Sequence, residues 1–466
     1  METYADKLAT YVLGLRFASL PEKVVRHTKL VLMDAIGCAI GGARLNKSWC
    51  LAALKMARAQ GGAKQSTVWH FGDRVPSLNA TFVNGVFAHS LDFSDDLAGV
   101  QIGGIVPTTA FAIGEAVGTS GKDVIAATVV GYDLAGRLAE SMDSQGLYIM
   151  GLQPTAMLGG FAAAATAGKL LRLTRPQLAS AFGIVASYAG GTIEFLKEGT
   201  DTKRMHPGKC GQSGALAAYL AKGGMTGPRT IFEGDYGIFK AYSDNPNLPK
   251  LVEGLGERFD VLDTSIKPLP MCDGNFAPLE AALTIVRDNG LALDDIESLS
   301  FRMIPSLIPY VINFQGETER KYRPVTELDA QMSIPYTIAV GLLKDGNVRM
   351  EDFHPQNYKN PKIQALADRI TVESAPDLSA GTPRRPITMP AEATLKTKSG
   401  RTFQKRIDRH KGDPRNPLSE AELIEKFGVC VKGSLSEAKK QRALESILSL
   451  EKAKNMSKLM RCLVRR

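Results

Sequence analysis

Tryptophan occurs only twice in this chain, histidine six times and cysteine six times, and each scarcity excludes something. The cysteines, at positions 38, 50, 210, 272, 430 and 462, form no CxxC pair and keep no regular spacing. They read as free thiols of a reducing compartment, not as a disulfide framework. The histidines are scattered, and neither HxxxH nor HExxH occurs, which removes the usual zinc arrangements. No apolar run reaches the roughly 20 residues that a membrane helix needs. The opening METYADKLATYVLGL sets acids among its apolar residues, where a secretory signal needs a basic stretch followed by an apolar one. A cytoplasmic protein with no membrane partner is expected. No GxGxxG opens a βα unit and no GxSxG presents a serine. A phosphate loop ending at Gly208-Lys209 would need its first glycine at 203, where lysine stands.

The 466 residues exceed what one hydrophobic core usually serves, so two domains are expected. The net charge of +9 belongs to one end. Residues 401–466 hold 17 Lys and Arg against 8 Asp and Glu, and the signs balance elsewhere. This excess reads as a solvated helix face, not as a nucleic-acid site.

The first half carries helical periodicity. PEKVVRHTKLVLMDAIGCAIGG ends on Gly41-Gly42, which reads as a C-terminal stop. KDVIAATVVGYDLAGRLAESM and the Ala/Gly-rich TAMLGGFAAAATAGKLLRL follow, and then LTRPQLASAFGIVASYAGG, with Thr174 as cap and Pro176 in the first turn. SGALAAYLAKGG is a further buried helix. After about Phe259 the texture changes. IESLSFRM alternates like a strand, RITVESAP is a short β run, and AEATLKTKSGRTFQKRI reads as a hairpin turning at Lys398-Ser399-Gly400. Helical pattern returns with LSEAELIEKF and LSEAKKQRALESILSLEKA. The expected fold is mainly α. A discontinuous all-helical bundle domain, residues 1–265 and 408–466, carries an inserted smaller α+β domain of residues 266–407.

Two stretches can carry chemistry. In TKRMHPGKCGQSG, residues 202–214, Lys203, Arg204, His206 and Lys209 crowd together around Pro207 and three glycines. This reads as a stiff loop leading into a helix whose N-terminus, with the added cations, binds an anion. Any one of the four taken alone reads as a surface cation. In HSLDFSDD, residues 89–96, Asp92, Asp95 and Asp96 read either as a helix-terminal acidic loop or as a carboxylate orienting a cation or a substrate hydroxyl. A Mg²⁺ site would need a second acidic cluster that the chain does not show. Lys267, in IKPLPMCDGN, stands where the helical part hands over to the insert, a common place for a ligand cleft, but alone it reads as a linker lysine.

HSLDFSDD, TDTKRMHPGKCGQSGALAAYLAKGGMTGPRTIFEG, IKPLPMCDGNFAPLEAAL and GDPRNPLSEAELIEKF, in this order, resemble the serial motifs of the MmgE/PrpD family. Its members include 2-methylcitrate dehydratase, cis-aconitate decarboxylase and iminodisuccinate epimerase. The resemblance implies a helical domain with an α+β lid, a homodimer, and a site in the inter-domain cleft. It implies chemistry on small di- or tricarboxylates with no required metal or organic cofactor. Asp92 matches the family's LDFDD aspartate, Lys203 and His206 its K-x-x-H-x-G segment, and Lys267 the lysine of K-x-[YF]-P. Tyr322 is a looser match to a cleft tyrosine. These five are the expected catalytic residues. Gln101, Gln153, Arg204 and Lys209 are the expected substrate-binding residues.

Gln101 and Gln153 are departures, because dehydrating and decarboxylating members usually carry histidine there. Glutamine orients a carboxylate but does not titrate near neutrality. The expected mechanism moves a proton next to a carboxylate, with fixed cations stabilising the growing charge and a lysine depressed toward neutrality as proton carrier. The first reading is therefore a cofactor-independent lyase, a dehydratase by preference. The alternatives are an epimerase or isomerase, which the two glutamines favour, and a catalytically degenerate carboxylate-binding homologue.

Overall fold

A computed structural model describes residues 2–313, 316–379 and 387–465. The chain is mainly helical, as expected, with a four-stranded sheet and one two-stranded ribbon. It divides into two compact units. The first comprises residues 1–192, 204–266 and 419–466, and the second residues 193–203 and 267–418. Among the described residues no helix is long and apolar enough to cross a membrane.

The first unit is a helical bundle. Helix Glu22–Arg44 packs on Ser77–His89 and on Glu420–Val431, and Gly121–Met142 packs on Pro154–Leu170. The Gly41-Gly42 stop is overturned, because the helix runs through both to Arg44. A Cβ at Gly42 would lie 2.2 Å from the Phe87 carbonyl oxygen. This glycine lets two helices touch; it does not end one. Local capping signals held better. Thr174 and Gln177 form a capping box, as do Ser419 and Glu422.

The larger correction concerns residues 202–214. They are not a loop before a helix but the first part of one helix, Thr202–Lys222, with Pro207 inside it. Its glycines are contact points. A Cβ at Gly208 would stand 2.4 Å from the Phe82 carbonyl oxygen, and one at Gly214 would stand 2.3 Å from that of Gly160. Packing against Ser77–His89 and Pro154–Leu170 thus overrides the low helix propensity of Gly and Pro. The anion-binding helix start expected near Ser213 does not exist.

In the second unit the sheet runs Ile370–Ser374, Ile296–Met303, Ala391–Thr397, Thr402–Ile407. The first pair is parallel and the others antiparallel. The hairpin turns where expected, with Gly400 at φ +83°. Ala391, Ala393 and Leu395 alternate inward, and helix Phe276–Asp288 covers them.

Candidate active site

Six of the nine expected residues lie in the first unit. The segment just after helix Ser77–His89 is the helix-terminal acidic loop expected, and Asp92, Asp95 and Asp96 in it are buried. Asp92 holds a left-handed backbone, φ +50°, a conformation that costs a non-glycine residue about 1–2 kcal/mol. Asp96 accepts from the Gly99 amide at 2.8 Å and pairs through its backbone with Ser265. Among the described residues no three His, Cys, Asp or Glu side chains converge as a metal-holding group.

The Gln101 amide donates to Thr155 Oγ1 at 2.9 Å. Two residues before Thr155, the Gln153 side chain caps helix Pro154–Leu170, its Oε1 accepting from the Ala156 amide at 2.8 Å. The Gln153 amide donates to the Gly191 carbonyl. His206 packs on the same spot, since a Cβ at Gly191 would lie 3.3 Å from His206 Nε2. Pro207 presses on Gly104, just past Gln101. Gln101, Gln153 and His206 therefore surround one small region. Arg204 lies with its guanidinium 5.7 Å from the centre of the Trp49 ring, and Trp49 Nε1 donates to Ser90 Oγ at 2.6 Å, beside the acidic segment. Lys209 turns elsewhere. Its ammonium donates to the Tyr188 and Gly190 carbonyls and so fixes that turn.

The second unit holds Lys203, Lys267 and Tyr322. Lys203 is 3% exposed and Lys267 1%, so neither is the surface or linker lysine that its local sequence suggests. Arg320 secures the segment before Lys203 by donating to the Glu198 carbonyl at 2.8 Å and to Asp329 at 2.7 Å. Lys267 Nζ donates to the Met271 carbonyl at 3.2 Å and lies 3.5 Å from Asp273. The Tyr322 hydroxyl donates to the Ile370 carbonyl at 2.8 Å, and burial, with Asp368 nearby, raises its pKa.

Some features are absent from the sequence reading. Lys321 is buried, donates to the Tyr310 and Met332 carbonyls, and is pushed down by burial to about 8. Nothing in RKYRP marks it. Asp34 and Lys426 form a buried ion pair at 2.5 Å. Here a signal existed, since each is a lone charge on an apolar helix stripe, among Val31, Ile36 and Cys38 and among Leu423, Phe427 and Cys430. Asp95 accepts from the Tyr132 hydroxyl at 2.6 Å, and its other oxygen abuts Gly103. Burial first, then the Asp34 charge, pushes its pKa up to about 8.

That shift has a signed consequence. The folded state keeps a proton on Asp95 that the unfolded chain releases above the ordinary 3.8. Its contribution is present at low pH and is lost as pH rises toward 8, with a slope of up to about 1.4 kcal/mol per pH unit. Asp95→Asn, which cannot ionise, is expected to flatten the decline in stability between about pH 5 and 8, measured by urea unfolding across that range.

The chain is a mainly helical protein of two units, each carrying buried basic side chains, Arg204 and His206 in the first and Lys203 and Lys267 in the second. The MmgE/PrpD N-terminal domain matches residues 6–250 and the MmgE/PrpD C-terminal domain residues 270–452, and the chain belongs to the MmgE/PrpD family. Human cis-aconitate decarboxylase is 27% identical over 476 residues, covering 100% of this chain and 94% of its own. Cis-aconitate decarboxylase of Aspergillus terreus is 25% identical over 468 residues, covering 95% and 92%. The cis-aconitate decarboxylase-like protein of Aspergillus oryzae is 25% identical over 473 residues, covering 97% and 96%.

Proposed function

We propose that this protein is a cofactor-independent lyase acting on a small di- or tricarboxylate of the cis-aconitate and citrate type. The observation that carries the reading is the end-to-end match to cis-aconitate decarboxylases, joined to the burial of the two lysines in the family's positions. In this reading a helical domain of residues 1–265 and 408–466 and a lid of 266–407 enclose the substrate, in a homodimer. Lys203 and Lys267 hold its carboxylates, and one of them carries the proton. A buried ammonium is the natural partner for charge that develops next to a carboxylate. His206 assists the transfer, Arg204 adds charge, and Asp92 orients a cation or hydroxyl. Gln101 and Gln153 hydrogen-bond a carboxylate. Tyr322 and Lys209, whose donors already serve backbone carbonyls, shape the walls.

Loss of water and loss of CO₂ both pass through this charge, and we place dehydration first. Epimerisation is the second reading, favoured by Gln101 and Gln153, because proton exchange needs no acid for a leaving group. Incubation with a panel of di- and tricarboxylates in D₂O, followed by NMR, separates these outcomes. New alkene signal without carbon loss indicates dehydration, CO₂ release decarboxylation, and deuterium uptake alone epimerisation. Turnover is expected to survive EDTA. If no member of the panel reacts or raises the melting temperature, the proposal fails.

A further inference from the structure

The motif GDPRNPLSEAELIEKF finds no use in the chemistry above, yet its lysine reaches the acidic segment. Lys426 lies on helix Glu420–Val431, and its Nζ donates to the Phe93 carbonyl at 2.8 Å. The same ammonium stands 4.0 Å from the centre of the Phe93 ring. Asp34, from helix Glu22–Arg44, binds it at 2.5 Å. All three residues are buried. Burial by itself would lower the lysine's pKa, but Asp34, with Cys38 and Cys430, outweighs it and keeps the group charged.

Phe93 follows Asp92, the residue with the left-handed backbone. Such a conformation persists only where neighbours over-determine it. On one side Trp49 holds Ser90, and on the other Lys426 holds Phe93 by its carbonyl and its ring. We infer that Lys426 is a positioning residue for Asp92: anchored by Asp34, it clamps the Phe93 peptide and so fixes the direction of the Asp92 carboxylate. The inference rests on the proposed role of Asp92 in turnover. The clamp itself is a property of the unliganded protein.

Lys426→Met alone strands a buried Asp34 charge and can simply unfold the protein. The informative variant is Asp34→Asn/Lys426→Met, which removes both charges. In the unliganded protein, amides of residues 92–100 are expected to exchange with solvent at least about 10-fold faster, while the rest of the bundle keeps its protection. Asp34→Asn alone weakens the anchor but leaves the lysine on Phe93, and is expected to raise exchange at 92–100 by less than the double variant does. With cis-aconitate, or whichever acid the panel identifies, the double variant is expected to lose about 100-fold in kcat, with KM moving less than about 3-fold. Unchanged exchange at 92–100 overturns the clamp whether or not a substrate is known. Faster local exchange with wild-type kcat overturns its role in positioning. If wild type turns over no member of the panel, the proposed function falls, and exchange alone decides the clamp.

Discussion

Lys267→Met and Lys203→Met are each expected to lower kcat/KM on the true substrate by about 10²–10³-fold, the usual loss on removing a fixed charge that stabilises a developing anion. Methionine keeps the length and apolar stem of lysine and removes only the ammonium. Lys267 is bound to the Met271 carbonyl and lies near Asp273, and Asp273 retains some contact with solvent. Its loss should therefore leave no isolated charge in a dry core, and the melting temperature should move by only a few degrees. A carboxylate-holding lysine raises KM when removed, whereas a proton carrier lowers kcat at constant KM. The two variants, measured side by side by steady-state kinetics, thus assign the two roles. Full turnover in both would remove the mechanism proposed here. The degenerate-homologue alternative predicts a different pattern, with wild type inert and both variants losing only the ligand-induced rise in melting temperature.

Much of this was legible in the sequence, and the misses share one cause. Alternation gave strand Ile296–Met303 to the residue, because a strand's pattern is local. Capping at Thr174 was legible for the same reason. Glycine was misread wherever its reason was another element. Gly41, Gly42, Gly208 and Gly214 all look like punctuation, yet they lie inside helices that approach a neighbour closely. Burial of the candidate site was hidden in the same way. Nothing near Lys203, Lys267 or Asp92 in sequence tells that each is covered, since distant segments supply the cover. Asp34 and Lys426 lie between these cases. Each is visible alone as a charge on an apolar stripe, but only the fold shows that they are partners.

Gly208→Ala and Gly428→Ala are expected to shift stability in opposite directions, although both replace a glycine within a helix. Helix propensity favours alanine by about 1 kcal/mol in each. At Gly428 nothing lies within 4 Å of the new Cβ, so that gain should appear nearly whole. At Gly208 the Cβ would meet the Phe82 carbonyl oxygen at 2.4 Å and Val86 Cγ2 at 3.0 Å. The first obstacle is backbone of a packed helix, which cannot swing aside as a side chain can. Overpacking of this kind costs about 1–3 kcal/mol, and a rigid obstacle belongs at the upper end, so a net loss of about 2 kcal/mol is expected. Urea midpoints of the two variants against wild type check both signs. If Gly208→Ala is stabilising, the helix crossing is looser than described. Residues 202–214 would then be free to behave as the stiff loop their sequence suggests, and His206 would lose the packing against Gly191 that sets it beside Gln153.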